Sequence, residues 1–207
     1  MQEKNSSITM LIIDESGSMR RMSDFVEELH SEITNEIKNG LIKHPESRHY
    51  LECWSFNSCE ITQSIPLTEV FNDSDIVLDY TPMGRTPLLD AIGTAVSKLE
   101  KRIHVNPQLQ STHVDVCIVS DGLENYSSEY SYPEIRKMIF NCEKKGWSFS
   151  YYGTNHDVHR VGSKLAIQDV SYFQPTKKGF QIISTNFKTK MRKSKSFYLN
   201  PKKGGQK

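Results

Sequence analysis

Short apolar runs alternate along this chain with longer segments of helical period. Ile8-Thr9-Met10-Leu11-Ile12-Ile13 reads as a buried strand. From about Met19 the period changes: Met22, Val26, Leu29, Ile33 and Ile37 recur at helical spacing, and Asn39-Gly40 is expected to end that helix. His49–Phe56 is a second strand, turned by Asn57-Ser58 into Glu60–Ile65, a short strand expected to run antiparallel at a sheet edge. A loop rich in Asn, Asp and Thr reaches Tyr80. Pro87 then suits a first helical position with Thr86 as its N-cap, and Leu88, Ile92, Ala95, Val96, Leu99 and Ile103 form the buried stripe of that helix. Val114–Ser120 is apolar enough for a central strand covered on both faces. A helix over Tyr132–Lys145, a strand over Trp147–Gly153, a short helix over Val158–Ala166, an edge strand over Val170–Phe173 and a last helix over Lys177–Met191 complete the pattern.

Alternation of strand and helix predicts an α/β fold: a Rossmann-like open, mostly parallel sheet of about six strands, with one short antiparallel edge strand and helices on both faces. One domain over 1–191 and a basic, disordered tail over 192–207 are the expected organisation, with neither repeat nor interdomain linker. Trp54, Phe56, Trp147, Phe149 and Tyr151 alternate on strands and read as packing rather than as a base-stacking platform.

Composition changes this picture in three ways. No run of 18 apolar residues exists and the polar Met1–Ser7 enters the first strand at once, which predicts a cytoplasmic protein without membrane contact. Cys53, Cys59, Cys117 and Cys142 lack C-x-x-C spacing, so reduced thiols are expected rather than zinc ligands. Cys53 and Cys59 facing each other across the hairpin is the alternative. Finally, the net charge of +1 conceals an asymmetry: residues 170–207 carry ten Lys/Arg and no acid, leaving 16 basic against 25 acidic residues, or −9, over 1–169.

The candidate chemistry lies where strands give way to helices, because ligands of open α/β sheets bind beyond the carboxyl ends of the strands where strand order reverses. Three segments are expected to meet there: Asp14-x-Ser16-x-Ser18 after the first strand, Gly84-Arg85-Thr86-Pro87-Leu88 at a helix start, and Asp121-Gly122 after the central strand. Two carboxylates and three hydroxyls form an oxygen-only set suited to a hard divalent cation. Each segment also has a plainer reading: Ser16-Gly17-Ser18 as a cap and turn, Thr86 as an N-cap only, Asp121-Gly122 as an ordinary turn. Glu15 and Arg85 flank the set and are expected to reach solvent, where they tune which partner charge is welcome. Glu124 and Asn125 are expected to buttress the Asp121 loop without being ligands. His156 and His159 read as loop and helix-start residues rather than a metal pair.

With these residues in order, the chain resembles the von Willebrand factor type A domain and its metal-ion-dependent adhesion site. The resemblance rests on Asp14, Ser16 and Ser18, on Thr86 within Thr86-Pro87-Leu88-Leu89-Asp90-Ala91-Ile92-Gly93, and on Asp121 within Ser120-Asp121-Gly122-Leu123-Glu124-Asn125. It extends from about Ile8 to Met191. Tyr80-Thr81-Pro82-Met83-Gly84 and Gly153-Thr154-Asn155 echo the small stand-alone intracellular members of bacteria and their viruses. The resemblance implies a non-enzymatic protein-interaction module with Mg²⁺ (or Mn²⁺, ahead of Ca²⁺) held directly by Ser16, Ser18 and Thr86. Asp14 and Asp121 would act largely through water, with the direct place open between Thr86 and Asp121 according to conformation, and an Asp or Glu carboxylate of a partner protein would complete the coordination. Two other readings remain: an accessory subunit of an ATPase or nucleic-acid assembly whose basic tail makes weak nucleic-acid contact, and a metal-dependent hydrolase. Against the hydrolase, the chain shows neither a G-x-S-x-G elbow nor a Walker A loop.

Overall fold

The computed structural model describes residues 6–121, 124–154, 158–172, 174, 176, 185 and 189. Six strands form one sheet: β1 (Ser6–Asp14), β2 (Arg48–Phe56), β3 (Ile61–Glu69), β4 (His113–Ser120), β5 (Ser148–Gly153) and β6 (Asp169–Tyr172). Their order is β3-β2-β1-β4-β5-β6; β2 and β3 pair antiparallel and every other pair is parallel. The α/β reading of the sequence therefore holds, down to the antiparallel edge strand.

Strand β1 is apolar on both faces because each face meets a different layer. Ile8, Met10 and Ile12 pack with α2 (Leu88–Val105), α3 (Tyr132–Glu143) and α4 (Val158–Leu165), a layer that also holds Trp54, Phe56, Trp147, Phe149 and Tyr151. Leu11 and Ile13 point the other way, onto α1 (Ser23–Lys43), whose Val26, Leu29, Ile33 and Ile37 are buried as the helical spacing requires. The expected stripe of α2 is likewise buried, with Ile103 at its margin.

Several boundaries differ from expectation. A 3-10 turn (Gly17–Met22) precedes α1, and that helix runs through Asn39-Gly40 to Lys43. Leu41, packed against the core one turn on, favours continuing the helix over stopping at Gly40. Strand β3 extends to Glu69 rather than ending at Ile65. Cys53 is buried opposite Ile65 while Cys59 lies exposed on the turn, so the hairpin bridge is not formed, and none of the four cysteines is in a disulfide. Burial pushes the Cys53 thiol up to about 12, which makes it inert. Among the described residues no helix is long and apolar enough to cross a membrane. The expected helix over Lys177–Met191, apart from Thr185 and Thr189, which are helical, lies outside the described residues, as do Gly122, Leu123, Asn155, His156, Phe173 and the tail.

Candidate metal site

Strand order reverses between β1 and β4: the chain leaves β1 for β2 on one side, and leaves β4 for β5 on the other. The two strands run parallel with Ile13 opposite Val119, so Asp14 and Ser120 emerge side by side at their carboxyl ends. Asp14, fully buried, accepts from the Ser120 hydroxyl at Oδ2 (2.6 Å) and from the Ser16 backbone N–H at Oδ1 (2.8 Å). Its own carbonyl accepts from the Tyr80 hydroxyl at 2.6 Å.

The turn after β1 carries the network onward. Ser18 Oγ donates to Asp121 Oδ1 at 2.8 Å and lies 3.1 Å from Ser16 Oγ. A serine has one hydroxyl hydrogen, and that of Ser18 goes to Asp121. The Ser16 hydroxyl lies against both Ser18 and the Asp14 carboxylate, and a hydroxyl oxygen keeps a lone pair after one donated and one accepted bond, so both serine oxygens can still face a cation. Ser16 occupies the N-cap position of the 3-10 turn, yet its side chain caps nothing. The plain cap reading of Ser16-Gly17-Ser18 fails on that point.

Thr86 is buried in the adjoining loop, which is tied to the first turn by Gly17 N–H donating to the Gly84 carbonyl at 3.1 Å. Gly84 has φ +70°, and a Cβ there would fall 2.3 Å from Ser58 Oγ, the atom that accepts the Arg85 N–H at 3.0 Å. The position thus needs glycine for both dihedral and space. Thr86 is not the N-cap of α2: the helix starts at Leu88, Pro87 stands at the cap, and no side chain of that residue serves it. Its N-terminal donors are satisfied from outside instead. Leu89 N–H goes to Glu124 Oε2 (2.9 Å) and Ser127 Oγ (3.0 Å), and Asp90 N–H to Ser127 Oγ (3.1 Å).

The segment after β4 is bound to α2 from the other direction as well. Asn125 brackets Thr86, its Oδ1 accepting the Thr86 N–H at 3.1 Å and its own N–H donating to the Thr86 carbonyl at 3.2 Å. Asp90 accepts three backbone N–H groups, from Ser128 (2.8 Å), Glu129 (2.9 Å) and Tyr130 (2.8 Å). Glu124 buttresses the loop after β4, accepting the Tyr126 and Ser127 N–H groups at 2.9 and 2.7 Å, and together with Asn125 it also holds Thr86 and the start of α2. Glu15 is also corrected: half-buried, it accepts the Thr81 N–H rather than reaching freely to solvent. Arg85 is exposed as expected, and His159 is exposed on α4.

Four of the five expected site residues, Asp14, Ser16, Ser18 and Asp121, are thus joined in one hydrogen-bonded chain. Thr86 is placed beside it by backbone bonds. Ser120 and Tyr80 belong to the site and were not singled out from the sequence. Ser120 ends β4, and only the pairing of β4 with β1 brings its hydroxyl to Asp14; Tyr80 joins through a long loop that carries no period.

Electrostatics favour a cation here. Burial, against the opposing bonds from Ser120 and Ser16 and with a further push from Asp121, raises the Asp14 carboxyl to about 6. Asp121 is also raised, by burial first, with the Ser18 bond pulling it back. Two such carboxylates beside hydroxyl oxygens with free lone pairs fit a hard divalent ion, whose charge would hold both ionised. Among the described residues no three or more His, Cys, Asp or Glu side chains form a group that could hold a metal ion, so an ion here would rest on hydroxyl oxygens as well as on the two carboxylates.

No family profile matches the chain, and no curated protein matches its sequence. Solved structures match its fold. Proximal thread matrix protein 1 from the mussel byssus superposes with a TM-score of 0.56 at 13% identity, over 90% of this chain and 46% of that one. The VWA domain of SpRpn10 gives 0.54 at 12%, over 84% and 91%. The pilus adhesin SpaC from Lactobacillus rhamnosus GG, in an open conformation, gives 0.63 at 11%, over 92% and 30%. The chain spans less than half of the mussel protein and about a third of the adhesin. At such identities the likeness is one of fold, and the fold is that of von Willebrand factor type A domains.

Proposed function

We propose that this chain is a divalent-metal-dependent protein-interaction module and not an enzyme. Ser16, Ser18 and Thr86 would hold Mg²⁺ or Mn²⁺ directly, Asp14 and Asp121 largely through water, and a partner's Asp or Glu would complete the ion's shell. One observation carries this reading: the unbroken chain Ser120–Asp14–Ser16–Ser18–Asp121 at the point where strand order reverses. It gathers oxygen donors and ties up the buried Asp14 carboxylate. Both Asp14 oxygens are engaged and the residue is shut from solvent, so it cannot collect a proton from a substrate. With hydroxyls supplying the direct contacts, the ion keeps enough positive charge to attract an outside carboxylate.

Titration calorimetry of Mg²⁺ into wild type and Asp14→Ala, followed by affinity capture in Mg²⁺ and in EDTA, tests the reading. Wild type should bind the ion and retain its partner only while the ion is present; Asp14→Ala should do neither while keeping the wild-type circular dichroism. Partner capture that is as strong in EDTA as in Mg²⁺ would overturn it.

A further inference from the structure

The mouth of the site carries three arginines that form no ion pair among the described residues. Arg20 and Arg21 line one cleft of about 590 Å³ together with Ser18, Asp121 and Thr154. Arg85 extends from the loop that holds Thr86. All three arginines are exposed, and none makes an ion pair among the described residues. Arg20 reaches only the Pro82 carbonyl, at 3.4 Å, and the Arg85 guanidinium lies 5.6 Å from the centre of the Tyr126 ring. Glu15, on the turn after β1, is turned to the Thr81 N–H, and the acid that shares the cleft is Asp121 of the metal site itself.

A divalent ion would cancel Asp14 and Asp121, so the metal-loaded mouth is cationic although residues 1–169 together sum to −9. The rim is also apolar in part. Met83 is 46% exposed and Tyr126 47%, on the loops either side of Thr86. Arg, Tyr and Met are residue types enriched in protein interfaces, and a cleft of this size admits a few side chains.

We propose that this mouth docks an acidic segment of a partner protein. One carboxylate meets the ion, at least one more pairs with Arg20 and Arg21, and an apolar side chain rests on Met83 and Tyr126 beside Arg85. The proposal rests on the metal-site reading above and adds to it the class of partner. The chain's own C-terminal stretch is excluded as occupant by charge, since residues 170–207 contain ten Lys/Arg and no acid. A nucleic acid could offer phosphates to the arginines and to the ion, but the acidic body, −9 over residues 1–169, would repel its flanks.

The test uses the full chain, fluorescence anisotropy and two labelled peptides. One carries several Asp around a Leu; in the other all but one Asp are replaced by Asn. In Mg²⁺ the multiply acidic peptide should bind ~10-fold more tightly, with an advantage that shrinks as salt is raised. The variant Arg20→Ser/Arg21→Ser/Arg85→Ser should lose that advantage while its Mg²⁺ affinity stays at the wild-type value. Equal affinity for the two peptides, no binding of either to the Mg²⁺-loaded chain, or an unaffected triple variant would overturn the acidic-segment proposal and leave the metal site standing. Wild type that binds no Mg²⁺ would instead sink the underlying reading. EDTA-insensitive binding of a single-stranded oligonucleotide that needs the same arginines would reassign the mouth to nucleic acid.

Discussion

Asp14 sits at the end of an apolar strand, out of water, with its ordinary carboxyl value of 3.8 raised to about 6. Between those values the native state holds a proton that the unfolded chain has released, so this group makes the metal-free protein less stable as pH rises, by about 3 kcal/mol once above both values. His30, whose burial lowers its own value, acts in the opposite sense, so the Asp14 contribution is best read against a variant that lacks it. Urea unfolding in EDTA should show wild type losing roughly 2–2.5 kcal/mol relative to Asp14→Asn between about pH 4 and pH 7, the steepest part of that total. Parallel curves for the two proteins would show that Asp14 is not strained. Asp14 was legible in the sequence because it closes an apolar run ahead of two alternating serines. Ser120 was not, because its role depends on the register of β1 against β4, which no local period encodes.

Helix α2 shows the same limit at the next scale. Its apolar stripe was readable from spacing, but its cap was not: Thr86 and Pro87 look like a local start signal, while the donors of Leu89 and Asp90 are in fact satisfied by Glu124 and Ser127 from the loop after β4. That loop is in turn fixed by the Asp90 carboxylate. Asp90→Ala strips acceptors from three backbone N–H groups and should cost about 2–3 kcal/mol in chemical denaturation. Asp90→Asn keeps Oδ1, which serves Glu129 and Tyr130, and should cost about half as much. Both should weaken Mg²⁺ binding, because Asn125 couples the same loop to Thr86. The Gly84 loop offers a second check. Gly84→Ala pays a left-handed backbone penalty of about 1 kcal/mol and also collides with Ser58 Oγ. Removing that oxygen with Ser58→Ala should recover the steric part, giving a favourable coupling of at least ~1 kcal/mol in the double-mutant cycle. Strict additivity of the two substitutions would mean the loop relaxes around the clash.

Across the whole molecule, the sheet acts as a frame that brings three distant segments to one point. Asp14 ends β1, Thr86 precedes α2 and Asp121 follows β4, so the unfolded chain has no way to present them together. An ion held by all three binds the native state alone and stabilises it by mass action, by about 2.7 kcal/mol at a hundredfold excess over Kd. For a domain of this size each kcal/mol moves Tm by about 2–4 °C, so saturating Mg²⁺ should raise Tm by roughly 5–10 °C at neutral pH, and EDTA should reverse it. Because the ion must displace the proton that Asp14 retains below about 6, the gain should shrink on acidification through that value. Asp14→Asn should show little gain at any pH. A rise of equal size in that variant would place the ion elsewhere on the molecule, and a rise that persists undiminished well below pH 6 would mean that Asp14 is not among the groups that hold it.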